Sequence, residues 1–231
     1  MQRPAPTSWV PEGVPRSGLL GIAPRCGSLV CKTQGVEHVD VTQEIARLRR
    51  QFADRIETLD ETAWNAASWC SGWKVRDVLA HLVRGAEGTL WSMVGDVLRG
   101  GLKPDRAVGE AAKRLGDVPV PELADRLRDA GEGGFHPPGF PAPMGLADVL
   151  VHSADAFRPL GLDVDAPPAD AMPVLDAFWR RGRMAVHAEP QRGGDGPEVR
   201  GKAIDLVLLV ANRRQVLPSL EGPGLAGLYA E

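Results

Sequence analysis

The chain has few of the features that mark the common functional classes. Its three cysteines, Cys26, Cys31 and Cys70, form an odd set without CxxC spacing. No disulfide framework is indicated, and a reduced, cytoplasmic protein is expected. The longest apolar run near the start, GLLGIA, is too short and too glycine-rich for a secretory segment or a membrane span. Charge of neither sign dominates. Lys plus Arg number 27 against 30 Asp plus Glu, a formal net charge of −3. No basic stripe is present, which argues against general binding to nucleic acid or an anionic membrane. GxGxxG and GxSxG are missing, and GGDGPEVRG lacks the lysine of a phosphate loop, so it reads as a turn. Internal repeats are lacking as well.

At 231 residues the chain is long enough for one main domain with an appendage. Residues 1–37 mix Pro, Gly, Ser and Arg without period, and burial there cannot offset the entropy of ordering them. They are expected to form a disordered tail. Helical patterning starts at Asp40, an N-cap with Gln43 three places on, followed by Ile45, Leu48, Phe52 and Ile56. A loop with Trp64 and Trp69 leads to a second helix from about Lys74 to Leu98, with Val75, Val78, Leu79, Leu82, Ala86, Leu90 and Val97 on one stripe. PELADRLRDAGEG, GLADVLVHSADAFRPLG and PADAMPVLDAFWRRGRMAV supply three more helices, the middle one closed by Pro159 and Gly161. Five helices with almost no strand signal predict a mainly α fold, a helix bundle over residues 38–182. Residues 183–231, with two short strands around a Gly/Asp/Pro turn and the helix KAIDLVLLVANRRQVLPSL, are expected as a small C-terminal α/β region.

At 100° per residue, His81 lies off the apolar stripe of its helix, on a face shared with Asp77, Gly85, Gly88 and Gly95. On the fourth helix Asp148, His152 and Asp155 share the polar face, opposite Leu146, Val149, Leu150 and Phe157. An aspartate and a histidine one turn apart present a carboxylate oxygen and an imidazole nitrogen at preset separation, the donor types zinc prefers. Such a pair is more often a solvated helix face, and spacing alone does not decide between the two. His81 would complete three ligands with an open position, as in catalytic sites, and Asp155 or Asp77 could orient a ligating ring. Cys70 reads as a buried, inert thiol at a helix entry, and the tryptophans as packing. His38, His136 and His187 carry no assigned role.

Three ordered blocks alter these odds. CSGWKVRDVLAHL closely resembles the signature C-P-G-W-T-V-R-D-L-L-A-H-L of the mycothiol-dependent maleylpyruvate isomerase family, whose metal-binding domain belongs to the DinB-like group of helix bundles. LADVLVHSADAFRPLG is similar to that family's block of an acidic residue, three residues and histidine before D-I-x-R-P-L-G. GDGPEVRGKAIDLVLLVANRRQVLPSLEGPGLAGL resembles its C-terminal G-D-G-P-E-V-x-G segment. The resemblance implies an up-and-down DinB-like bundle holding a divalent metal, zinc by expectation, on His81, Asp148 and His152.

It further implies mycothiol as a cosubstrate whose thiolate attacks a small electrophilic substrate, in isomerisation or S-transfer. Two departures stand out. VHAEPQR replaces the family's A-T-D-A-D-W-S, and Asn212-Arg213 stands where the family has G-R. Arg213 is the candidate partner for a carboxylate of cosubstrate or substrate. The competing expectation is a non-catalytic binding protein in which the metal only ties two helices together, favoured if Asp155 or Asp77 supplies a fourth ligand. Metal-assisted hydrolysis is a third class, without an evident general base. Apolar helix faces suit a core or a dimer contact equally, so the sequence assigns no oligomeric state.

Overall fold

The computed structural model describes residues 40–89, 94–95, 104–130, 142–181 and 199–226. The expected tail, the two C-terminal strand segments up to residue 198, and His38, His136 and His187 lie outside the described residues. Contacts divide the chain into two compact units, residues 38–164 and a second from residue 165 onward.

In the first unit α1 (Val41–Glu57) starts where expected. The Asp40 carboxylate accepts from the Thr42 and Gln43 amides at 3.0 and 3.4 Å. A four-residue helix, α2 (Glu61–Trp64), occupies what the sequence suggested was loop, capped by Asp60. The Trp64 indole N–H donates to the Ile56 carbonyl at 2.8 Å, an oxygen at the end of α1 that also accepts from the Leu59 amide at 3.2 Å. Then follow α3 (Val75–Glu87), α4 (Pro104–Leu115), α5 (Val120–Asp129) and α6 (Pro143–Phe157).

Helix α1 packs against α5 and α6, and α3 packs against the same two, so the four form a ring with α3 and α6 adjacent. Helix α4 lies against α3 outside that ring. The interior is filled by Phe52, Ile56, Leu79, Leu82, Leu123, Leu127, Leu146, Leu150 and Phe157, all essentially without solvent contact. The Phe52 and Phe157 rings meet at 4.9 Å. Pro159 and Gly161 end α6 as expected. A 3₁₀ turn, Arg158–Leu160, leads to Gly161 at φ +74°, a left-handed cap that glycine adopts without penalty.

The second helix of the sequence reading is shorter than expected. It stops at Glu87, and Gly88 is extended, at φ −58° and ψ 156°. Glycine's high backbone entropy outweighs the apolar period that continues beyond it. Leu90, Val97 and Leu98 fall outside the described residues.

In the second unit α7 (Pro168–Arg181) packs on α8 (Ala203–Val210), followed by a 3₁₀ segment, Arg214–Ser219. Helix α8 is apolar except for Asp205 and almost wholly buried; the Asp205 carboxylate accepts from the Ser219 hydroxyl at 3.0 Å. Contacts thus group α7 with the C-terminal segment, whereas the sequence reading drew the boundary after residue 182. Among the described residues no sheet forms, and β pairing is limited to isolated bridges, Ala67 with Lys74 and Arg200 with Glu221. No described helix is long and apolar enough to cross a membrane.

Candidate metal centre

The ring brings α3 and α6 side by side, and with them His81, Asp148 and His152. The His81 Nε2 lies 3.3 Å from Asp148 Oδ1, and the His152 Nε2 lies 3.5 Å from the same oxygen. One ligand atom from each lies within 4.8 Å of the others. The ring centroids of the two histidines are 4.6 Å apart, edge to face. Gly85, the small residue expected beside His81, faces the same carboxylate, and a Cβ there would sit 3.9 Å from Asp148 Oδ2, an ordinary van der Waals contact.

His152 is held from its other nitrogen. Its Nδ1 lies 3.0 Å from Asp155 Oδ2, and Asp155 is fully buried. A buried carboxylate accepts, so Nδ1 donates and Nε2 turns toward Asp148 and His81. Asp155 therefore takes the orienting role the spacing suggested. Asp77 does not: its carboxylate accepts from the Lys74 amide at 2.8 Å and closes the first turn of α3.

Electrostatics follow from this crowding. Burial alone would raise the Asp148 carboxyl, but the charge and hydrogen bond of His81, with His152 and Arg49 behind them, hold it at about 2. Burial opposes the charged His152 imidazole. Hydrogen bonds with Asp155 and Cys70 and the charges of Asp148 and Asp155 outweigh that, and push it up to about 10. The Asp148 side chain is 39% accessible against 18% for His81 and 15% for His152, so the cluster opens to solvent on the Asp148 side.

Two more groups lie near the site, Arg49, which the sequence reading passed over, and Cys70, which it took for a buried thiol. Arg49 on α1 is buried, and desolvation lowers its guanidinium while the Asp148 charge raises it. The signal was present, because Arg49 falls on the stripe of Ile45, Leu48, Phe52 and Ile56, where an arginine is out of place unless paired. Cys70 is half-buried rather than an inert core thiol. Its Sγ lies 3.2 Å from Asp155 Oδ2 and 3.6 Å from His152 Nδ1. The Trp73 ring covers both histidines, 5.3 Å from His81 and 6.3 Å from His152. Arg213 lies in the second unit, where its guanidinium donates to the Ala211 carbonyl at 2.8 Å.

The donor chemistry fits a divalent cation. Two imidazole nitrogens and a carboxylate converge, and the second nitrogen of one imidazole is already committed to a buried aspartate, the usual arrangement behind a ligating histidine. The class so defined is a helix bundle with a three-donor group of metal-ligating type on adjacent helices. The family follows from comparison: the model for the mycothiol maleylpyruvate isomerase N-terminal domain matches residues 45–203, most of the chain, and the protein belongs to that family. Two solved structures, a mycothiol-dependent maleylpyruvate isomerase and a histidine-to-alanine variant of it, are each 14% identical. Each comparison covers 79% of this chain and 91% of the other, with a TM-score of 0.52. At that identity they establish the fold. No curated protein matches the chain. The family and the helix bundle expected from the sequence blocks are thereby borne out.

Proposed function

We propose that this protein is a divalent-metal-dependent enzyme that uses mycothiol to attack a small electrophile, as an isomerase or an S-transferase. The observation that carries the proposal is the convergence of His81 Nε2, Asp148 Oδ1 and His152 Nε2 within a chain of this family. These three would hold the metal, zinc by expectation. When bound, the ion supplies Lewis acidity that keeps a thiol ionised near neutral pH.

The chain's own residues supply the rest. Asp155 fixes the His152 ring so that Nε2 remains directed at the cluster. The accessible Asp148 side gives a small thiol its approach. Trp73 walls the histidine faces and limits the water around them. Arg49 adds positive charge behind Asp148, favourable to an anionic reactant. Arg213 is the candidate for binding a carboxylate of cosubstrate or substrate. The reaction class is addition of the thiol sulfur to an electron-poor double bond, permitting isomerisation, or displacement of a leaving group to form a thioether.

A purely structural metal takes four protein ligands. Asp155 faces Nδ1 of His152, across the ring from Nε2, and Asp77 is engaged at the start of α3, so neither favours that reading. The test is turnover by zinc-reconstituted protein with mycothiol and maleylpyruvate, then with other small electrophiles, followed by mass spectrometry. Product that requires both thiol and metal, and that is lost in a folded His152→Ala variant, is expected. Turnover that survives chelation or that substitution would overturn the proposal.

A further inference from the structure

We infer that Cys70 is a positioning residue, whose thiol holds the Asp155 carboxylate on His152 Nδ1 and thereby aims His152 Nε2 at the metal site. The inference rests on the metal reading above and adds a residue to it. Asp155 Oδ2 is the shared acceptor: the His152 N–H approaches at 3.0 Å and the Cys70 S–H at 3.2 Å. The carboxylate is fully buried, so water cannot replace a lost donor there without opening the packing. A thiol is a weak donor. It occupies the second lone pair of Oδ2 without drawing the oxygen away from the imidazole.

The local sequence sets the backbone that presents the thiol at this point. Ser68 to Trp73 form a tight turn in which the Trp73 amide donates to the Cys70 carbonyl at 3.0 Å, and Gly72 takes φ +73°. That left-handed position favours glycine. The Ser68 hydroxyl bonds the Cys70 amide at 3.1 Å and the Trp73 carbonyl at 3.1 Å. The turn is fastened to α6 at the same aspartate, since the Trp69 amide donates to the Asp155 main-chain carbonyl at 2.9 Å. One turn therefore acts on His152 twice, through Cys70 behind the ring edge and through Trp73 across its face.

Cys70, His152 and Asp155 also make a three-donor group of their own, using the opposite nitrogen of the shared histidine. A ligand role for Cys70 is thus the rival assignment, and the two differ in what serine can replace. A hydroxyl donates to Asp155 as a thiol does, whereas a thiolate ligand is poorly replaced by serine.

The experiment compares full-length wild type, Cys70→Ser and Cys70→Ala, with helicity and Tm checking each fold. In metal-free protein, imidazole ¹⁵N–¹H spectra report the His152 Nδ1 proton. It should be sheltered from exchange in wild type and in Cys70→Ser, and lost or fast-exchanging in Cys70→Ala. Zinc affinity by chelator competition should fall about tenfold in Cys70→Ala, the lower end for a partner of a ligating histidine, and stay within about threefold in Cys70→Ser. An unchanged Nδ1 signal in Cys70→Ala, or serine no better than alanine, overturns the inference. So does a thiolate charge-transfer band in the cobalt-loaded protein that disappears in Cys70→Ser. Failure of wild type to bind zinc, with the Nδ1 pattern intact, counts against the metal reading and leaves Cys70 as the residue that positions His152.

Discussion

Protons and a divalent cation compete for the Nε2 of His152. Its imidazole is raised from 6.5 to about 10, so in metal-free protein the charged ring contributes stability that is fully present below about pH 6.5 and is lost as pH rises through about 10. Asp148 is held at about 2 against 3.8, so its contribution is present above about pH 3.8 and is lost as pH falls toward 2. The Tm of metal-free protein should therefore be favoured by this pair between about pH 4 and 6.5 and decline on the alkaline side. Metal binding reverses the role of the proton, because the ion takes the Nε2 lone pair. Zinc affinity should climb about tenfold per pH unit from His152 alone, with about one proton released from it near neutrality. Titration calorimetry in buffers of different ionisation enthalpy counts that proton, and a pH-independent affinity would place the ion elsewhere. At this scale the sequence was legible where a residue's type and helix face agreed, as for His81, Asp148, His152 and Asp155. Cys70 was not legible, since its importance comes from a turn that touches α6 about 80 residues away.

Among the elements, α3 carries the most constraint. Its first turn is closed by Asp77, and the same carboxylate lies against Gly116, just after α4, where a Cβ would come within 2.5 Å of Oδ1. Gly116→Ala should destabilise the protein by about 1–3 kcal/mol through that overpacking, and Asp77→Ala by about 1 kcal/mol through the lost hydrogen bond. The double variant should cost less than the sum, because removing the carboxylate removes the tightest contact and leaves the Ala112 carbonyl at 3.2 Å. Urea unfolding of the three variants measures the coupling, and simple additivity would mean that the glycine serves something other than Asp77. Helix periodicity and caps marked α1, α3, α5, α6, α7 and α8 in the sequence, although α8 ends at Val210 and a separate 3₁₀ segment, Arg214–Ser219, follows where one longer helix was expected. It missed α4, whose alanine-rich pattern, Ala107, Ala111 and Ala112, gives a weak apolar stripe that nonetheless buries well against α3. It also ran α3 past Gly88, since the apolar period persisted through a glycine, a poor helix former that is extended here.

For the molecule as a whole, the division at residue 164/165 shows what pattern reading cannot supply. Nothing in the composition of α7 distinguishes a fifth bundle helix from a partner for α8; the apolar face of α8 makes that choice. The departure from the family pattern at residue 212 is mild in physical terms. Asn212 sits at φ +61° after α8, and asparagine is among the few residues that adopt the left-handed conformation glycine would take there. Arg213 accordingly keeps a backbone setting open to either residue before it. The most direct measurement is metal content by elemental mass spectrometry on protein reconstituted with zinc, beside His81→Ala and His152→Ala variants whose helicity is intact. About one ion per chain in wild type, lost in both variants, is the expected result. A wild type that holds no divalent ion, or variants that retain it, would contradict a site built from His81, Asp148 and His152.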